Sequence, residues 1–145
     1  MRADRLPVAA SLASTEYVVD ASVLVNLLTR AEGPSPDADP ILADAATLHA
    51  PELIDLEVIQ AFRRMMRTRS MTERRAQEAI DLLAEFPIHR HPHRPLVSRV
   101  WEHRAGCTAY DASYLALAEG LGATLVTADA GLAHTAAKFV TVEHR

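Results

Sequence analysis

Short β-type runs alternate with longer stretches of helical periodicity along nearly the whole chain, and that order restricts the fold more than any single residue does. Tyr17-Val18-Val19, Leu48-His49-Ala50, Thr124-Leu125-Val126-Thr127 and Phe139-Val140-Thr141-Val142 have the aliphatic and β-branched character of strands. After Asp20, with Ser22 as N-cap, a helix carries Val23 to Leu28. Ile41 to Ala46 is expected to form a short helix, and Pro51 to open a long one on Leu53, Leu56, Ile59, Phe62 and Met66. A further helix from Thr72 to Phe86, on Ala76, Ala79, Ile80 and Leu83, completes a helical hairpin. Leu96 to Arg104, Tyr110 to Glu119 (closed by Gly120 and Gly122) and Gly131 to Lys138 are the remaining predicted helices. Such alternation produces a central, mostly parallel sheet between helical layers, a three-layer α/β/α sandwich whose ligands gather beyond the carboxyl ends of its strands.

The chain of 145 residues, 49% of them hydrophobic, can bury a core without disulfides, so one domain is expected. Cys107 is alone, which excludes an internal disulfide and a cysteine-based zinc pattern and fits a reducing compartment. The N-terminal stretch is broken at Pro7, Ser11 and Ser14, too weak for a secretory segment, and nothing is apolar enough to span a bilayer, so a cytoplasmic protein is expected. A formal charge of −4 does not suggest a nucleic-acid binder, yet neutralising four acids would bring it to zero.

Four acids stand where a chain of this type bends toward a shared pocket. Asp20 and Asp129 follow strands, Asp111 opens a helix, and Glu57 lies mid-helix amid Leu53, Leu56, Val58 and Ala61. Each has a plain reading as well: Asp20 as a turn residue, Asp129 as a helix cap, Asp111 in a Thr108-x-x-Asp111 capping box, and Glu57 as a solvent-facing acid sharing a strip with Gln60 and Arg64. Independent caps have no reason to meet. If the four do meet, two carboxylates about 5 Å apart repel by roughly 3 kcal/mol at an effective dielectric near 20, and no basic residue adjoins them in sequence to relieve it. A hard cation would, and all-oxygen ligation without His or Cys suits Mg²⁺ or Mn²⁺. Metal ions held this way serve phosphodiester chemistry. Ser22 and Thr127, two residues from Asp20 and Asp129, could hydrogen-bond a ligand or a carboxylate.

Other features read more plainly. Arg63, Arg64, Arg67, Arg69, Arg74 and Arg75 form a basic group on the hairpin, a solvated face or a phosphate surface. Ile88 to His93 is a candidate edge strand; His89, His91 and His93 alternate in it, and the interleaved Arg90 and Arg94 and flanking prolines favour an exposed basic segment over a metal tract or an RNA-facing strip. Phe62, Trp101 and Tyr114 occupy apolar helical positions and are expected in the core. A haloacid-dehalogenase-like phosphatase needs a second acid two residues after the first, where Ser22 stands, and a receiver domain needs a lysine cleanly following its last core strand, which Lys138 does not do.

The motifs Val18-Val19-Asp20-Ala21-Ser22-Val23-Leu24-Val25, Ala50-Pro51-Glu52-Leu53 through Glu57, Thr108-Ala109-Tyr110-Asp111-Ala112-Ser113-Tyr114 and Thr127-Ala128-Asp129 together resemble the PIN-domain family, and within it the VapC toxins of bacterial toxin–antitoxin pairs. The resemblance runs from Tyr17 to the end and leaves residues 1–16 as an N-terminal extension. It implies a PIN fold, Mg²⁺- or Mn²⁺-dependent endoribonuclease activity on RNA, homodimerisation, and a cognate VapB-type antitoxin whose tail blocks the acidic pocket. By position it assigns Asp20, Glu57, Asp111 and Asp129 to the acidic quartet that binds metal, and Ser22 and Thr127 to the hydroxyl positions beside it. Some members carry a further acid after the Thr-x-Asp motif; Gly131 and Leu132 stand there, which weakens the expectation of a second metal ion. The rival from another class is a non-catalytic PIN-type module that uses the pocket only to engage a partner.

Overall fold

The computed structural model describes residues 14–37 and 39–145. Strand β1 (Thr15–Val19) leads into helix α1 (Ala21–Leu28); β2 (Ala46–Pro51) is followed by the antiparallel hairpin of α2 (Ile54–Arg67) and α3 (Glu73–Glu85). Edge strand β3 (Ile88–His91) precedes α4 (Val97–Glu102) and α5 (Ala109–Leu121), and the chain closes through β4 (Thr124–Thr127), α6 (Ala130–Ala136) and β5 (Val142–His144). The five strands form one sheet in the order β3-β2-β1-β4-β5, every neighbouring pair parallel. Helices α1, α2 and α3 pack on one another, while α5 lies against β1, β2 and β4 and carries α4. This is the expected α/β/α sandwich.

Central strands of a parallel sheet are covered on both faces and so read as continuous apolar runs. Val18 and Val19 in β1 and Leu125 and Val126 in β4 are all fully buried. The strand order reverses between β1 and β4. A crevice therefore opens beyond their carboxyl ends.

Several boundaries differ from expectation. The helix predicted over Ile41 to Ala46 is a single 3-10 turn, Pro40–Leu42, capped by Asp39, and Ala46 already belongs to β2. Pro51 closes β2 rather than opening a helix, and α2 starts at Ile54. The last strand is Val142–His144, because Phe139 and Val140 are still bonded back to the Ala136 carbonyl. Of the two glycines expected to close α5, Gly122 does so in the left-handed conformation (φ 60°), while Gly120 lies within the helix. Strand β1 begins at Thr15, so the last residues of the predicted extension belong to the fold; residues 1–13 lie outside the described ones.

The largest correction concerns the face of α2. Ile54, Val58 and Phe62 are buried, whereas Leu56 is 70% exposed and Ile59 and Met66 also reach solvent. Trp101 likewise is not in the core but 66% exposed.

The candidate edge strand is present as β3, paired to β2 with Leu48 opposite Ile88. Arg90 is no solvent residue: it grips Asp55 at 2.7 and 3.0 Å and donates to the Leu83 carbonyl, tying β3 to both hairpin helices. The three histidines do not share one role. His93 accepts from the Leu53 amide at 3.0 Å, while His91 Nε2 faces His49 Nδ1 at 2.8 Å and His89 stacks on His49. Burial, with the neighbouring His49 and His89, holds the His91 imidazole below its ordinary value of 6.5. The folded state thus binds that proton less readily than the unfolded chain, so His91 contributes stability present above about pH 6.5 and lost as the pH falls. The melting temperature of His91→Gln should therefore drop less steeply than that of the wild type between neutral and mildly acid pH; parallel curves would rule this out.

Candidate active site

The four acids predicted from the sequence line one cleft of about 420 Å³, together with Ser22, Asn26, Ala61 and Arg64. Each arrives by a separate local rule. Asp20 is the first residue beyond β1, and its amide donates to the Val126 carbonyl, which extends the β1–β4 pairing by one step and seats Asp20 beside Thr127. Glu57 lies in the first turn of α2 and Asp111 in the first turn of α5. Asp129 begins α6, two residues beyond the end of β4.

Asp20 is almost wholly buried and held by two hydroxyls. Ser22 Oγ donates to Asp20 Oδ2 at 2.9 Å and Thr127 Oγ1 donates to the same oxygen at 2.8 Å. Both hydroxyls in turn accept a main-chain amide, Ala128 N at Ser22 and Asp129 N at Thr127, each at 3.0 Å. With an amide already occupying each hydroxyl oxygen, the hydroxyl protons are directed at Asp20. Ser22 is therefore not the predicted N-cap; that position belongs to Asp20, without a side-chain cap bond, and Ser22 bridges the starts of α1 and α6.

The plain readings of the other acids hold in part. Asp129 does cap α6, its Oδ1 accepting from the Leu132 amide at 2.8 Å. Thr108 caps α5 by accepting from the Asp111 amide at 3.2 Å, while the Asp111 carboxylate makes no hydrogen bond among the described residues. Glu57 is not a solvent acid: its Oε1 accepts the phenol of the fully buried Tyr114 at 2.7 Å.

The electrostatics are those of a crowded set of like charges. Burial raises the carboxyl of Asp20 above its ordinary range, opposed by the Thr127 and Ser22 hydroxyls and aided by Asp129. Asp111 is raised by burial and then by Asp20 and Asp129. Glu57 is raised by burial and by Asp20 and Asp111, against the Tyr114 bond and the charge of Arg64. Burial, followed by Glu57, pushes the Tyr114 phenol far up, so it remains a donor. Among the described residues no three His, Cys, Asp or Glu side chains are close enough to form a ready-made metal cage. The acids are near enough to repel yet leave room between them.

Sequence reasoning missed three contributors. Arg64 stands in the cleft, so a positive charge is present after all; its signal was the i+7 spacing from Glu57, which places both on one helical strip. Tyr114, read as core, is core and also holds Glu57; its signal was the i+3 spacing from Asp111. Asn26, one helical turn beyond Ser22, had no signal beyond that spacing.

A PIN domain family model matches residues 17–138. Ribonuclease VapC9 of Mycobacterium tuberculosis is 39% identical over 94 residues, spanning 65% of this chain and 74% of the relative. Ribonuclease VapC1 of the same organism is 38% identical over 119 residues, spanning 81% and 89%. Among solved structures, the crystal structure of PAE2754 from Pyrobaculum aerophilum superposes with a TM-score of 0.64 at 27% identity, covering 90% of this chain and 86% of that one. VapBC2 from Rickettsia felis, bound to a DNA fragment from its promoter, gives 0.59 at 14% identity over 90% and 98% of the two chains, a likeness of fold alone. With the match covering most of the chain and its acids gathered where the strand order reverses, the protein belongs to the PIN-domain family, among the VapC ribonucleases.

Proposed function

We propose that this protein is a metal-dependent endoribonuclease and the toxin of a toxin–antitoxin pair. The observation that carries the reading is the meeting of Asp20, Glu57, Asp111 and Asp129 in one cleft, beyond the ends of β1 and β4. The ribonuclease names of its relatives supply the substrate class.

The donor set fits Mg²⁺ or Mn²⁺. It is all carboxylate oxygen, burial and neighbouring like charges raise Asp20, Glu57 and Asp111, and such a set suits an ion that keeps several waters and takes only one or two carboxylates directly. Such an ion supplies charge neutralisation at the phosphorus and an activated water for in-line attack. Asp20 and Asp111 are the residues we assign to hold it directly, with Glu57 and Asp129 acting at its rim. The hydroxyls of Ser22 and Thr127 fix Asp20 Oδ2, and Oδ1 accepts no side-chain hydrogen bond among the described residues. Tyr114 fixes Glu57 in the same way, leaving Oε2 to accept a proton or a water hydrogen bond. Burial of these contacts means that little rearrangement is needed as charge develops.

The direct test is cleavage of a structured RNA pool by purified protein with Mg²⁺, with EDTA, and with Mn²⁺ added back. Cleavage lost in EDTA and restored by either cation is expected. No cleavage of any RNA by intact, folded protein would favour the alternative, a non-catalytic binding module.

Partners follow from the same reading. A VapB-type antitoxin is proposed, as in the VapBC2 complex. Homodimerisation is proposed through the apolar groove between α4 and α5, where Val97 is 60%, Trp101 66% and Tyr110 65% exposed. Isolated monomers seldom leave such large apolar side chains together in water. Light scattering should give about twice the 15.8 kDa chain mass, and Trp101→Glu should reduce it to the monomer; an unchanged dimer would place the interface elsewhere. Among the described residues no helix is long and apolar enough to cross a membrane.

A further inference from the structure

We infer that Arg64 is a substrate-binding residue, holding a phosphate of the RNA chain next to the one that is cut; the inference rests on the nuclease reading of the cleft.

Arg64 lines the cleft with all four acids, is exposed, and makes no ion pair or side-chain hydrogen bond among the described residues. Among the described residues most other arginines are engaged, with Arg63, Arg67, Arg69 and Arg94 the exceptions. Arg75 is bound to Glu78, Arg90 to Asp55, Arg99 to Glu119, Arg145 to Asp39, and Arg104 lies over the Trp101 ring. A guanidinium left free beside four carboxylates is not there to neutralise one of them by contact. Helix geometry explains why it does not: seven residues separate Arg64 from Glu57, about 10.5 Å along the axis, so the two share a face without touching.

The arrangement suits a polyanion better than it suits the acids themselves. A phosphate chain entering an acidic cleft is repelled until it meets a cation. The site would give it two, a metal ion held at the carboxylates and the unpaired guanidinium two turns along α2. Arginine serves the second role well, because its planar fork can bond two phosphate oxygens at once while lysine offers a point charge. The exposed Arg63 and Arg67 flank Arg64 along the same helix and extend a basic track away from the cleft.

The test uses wild type, Arg64→Gln and Arg64→Lys with a labelled single-stranded oligoribonucleotide. Steady-state cleavage is measured with Mg²⁺, and binding by fluorescence anisotropy in EDTA, both over a range of KCl concentrations. Arg64→Gln is expected to lower kcat/KM about tenfold, equivalent to about 1.4 kcal/mol, chiefly through KM. It should also flatten the log–log salt dependence of binding by about 0.7, the change for one single-strand phosphate contact. Arg64→Lys should restore the salt slope and only part of the affinity. Unchanged KM and salt slope in Arg64→Gln would overturn the inference. So would a loss confined to kcat, or a shift only in the metal concentration needed, since Arg64 would then act on the carboxylates. If wild type binds but cuts no RNA, the nuclease reading has failed, and the salt slope still decides whether Arg64 meets a phosphate.

Discussion

Asp20→Asn is expected to lower RNA cleavage by roughly 10²–10³-fold or more, the range that follows loss of a preorganised electrostatic group, while leaving the protein as stable as before or more so. The two halves of this result have one cause. In the absence of metal, Asp20, Glu57 and Asp111 all have carboxyls raised above their ordinary values of 3.8 or 4.5. A raised acid binds protons more tightly in the folded state, so its stabilising contribution is present below about pH 4 and is lost as the pH rises through the raised value. At neutral pH the ionised cluster therefore weighs against folding. Asparagine removes one charge yet keeps an oxygen to accept the Ser22 and Thr127 hydroxyls, so neither relay is broken. The melting temperature of the variant, compared with wild type in EDTA, should gain from mildly acid to neutral pH, and Mg²⁺ should narrow the gap by stabilising only the wild type. A variant that melts well below the wild type at neutral pH without metal would refute this account.

The second large effect concerns the orientation of α2. Phe62→Ala should destabilise the protein by about 3–5 kcal/mol, the usual consequence of emptying a core aromatic site, because Phe62 is only 1% exposed within the cluster that includes Ile54, Val58 and Leu83. Leu56→Ala should change stability by no more than about 0.5 kcal/mol, as for other surface positions. In urea unfolding of the two variants, Phe62→Ala sets the scale of a buried position and the small loss in Leu56→Ala shows that Leu56 faces outward. The result bears on chemistry too, since Glu57 meets the Tyr114 phenol only when Val58, not Leu56, is packed inside. Equal losses for the two variants would mean that the helix is turned differently.

The acids were legible in the sequence because short buried runs pin the points where they occur. Val18-Val19 and Leu125-Val126-Thr127 can only be central strands, so Asp20 and Asp129 had to lie at the mouth of the sheet. The inward face of α2 was not legible. Phe62 was placed correctly, but Ile54 and Val58 compete with Leu56, Ile59 and Met66 to share its apolar stripe, and only the packing of α1 and α3 against the helix selects between them. Trp101 misled for a related reason: an aromatic at an apolar helical position looks the same whether the chain's own core or another surface covers it. The partnership of Ser22 and Thr127 could be placed near Asp20 but not resolved, since a hydroxyl two residues from an acid is also a normal cap or strand residue. Its actual role depends on amides from Ala128 and Asp129, brought in from the far end of the chain.

Three of the four acids have one oxygen already engaged by the protein: Asp20 by two hydroxyls, Glu57 by a phenol, and Asp129 by the Leu132 amide. Asp20 Oδ2 has both lone pairs used by its two hydroxyls, and at Glu57 and Asp129 the oxygen without a protein donor is the better one to offer an incoming ion. Calcium prefers six to eight oxygens and readily takes carboxylates in bidentate fashion, so on the metal-dependent reading proposed above we expect the smaller octahedral cations to support cleavage and calcium to support it poorly.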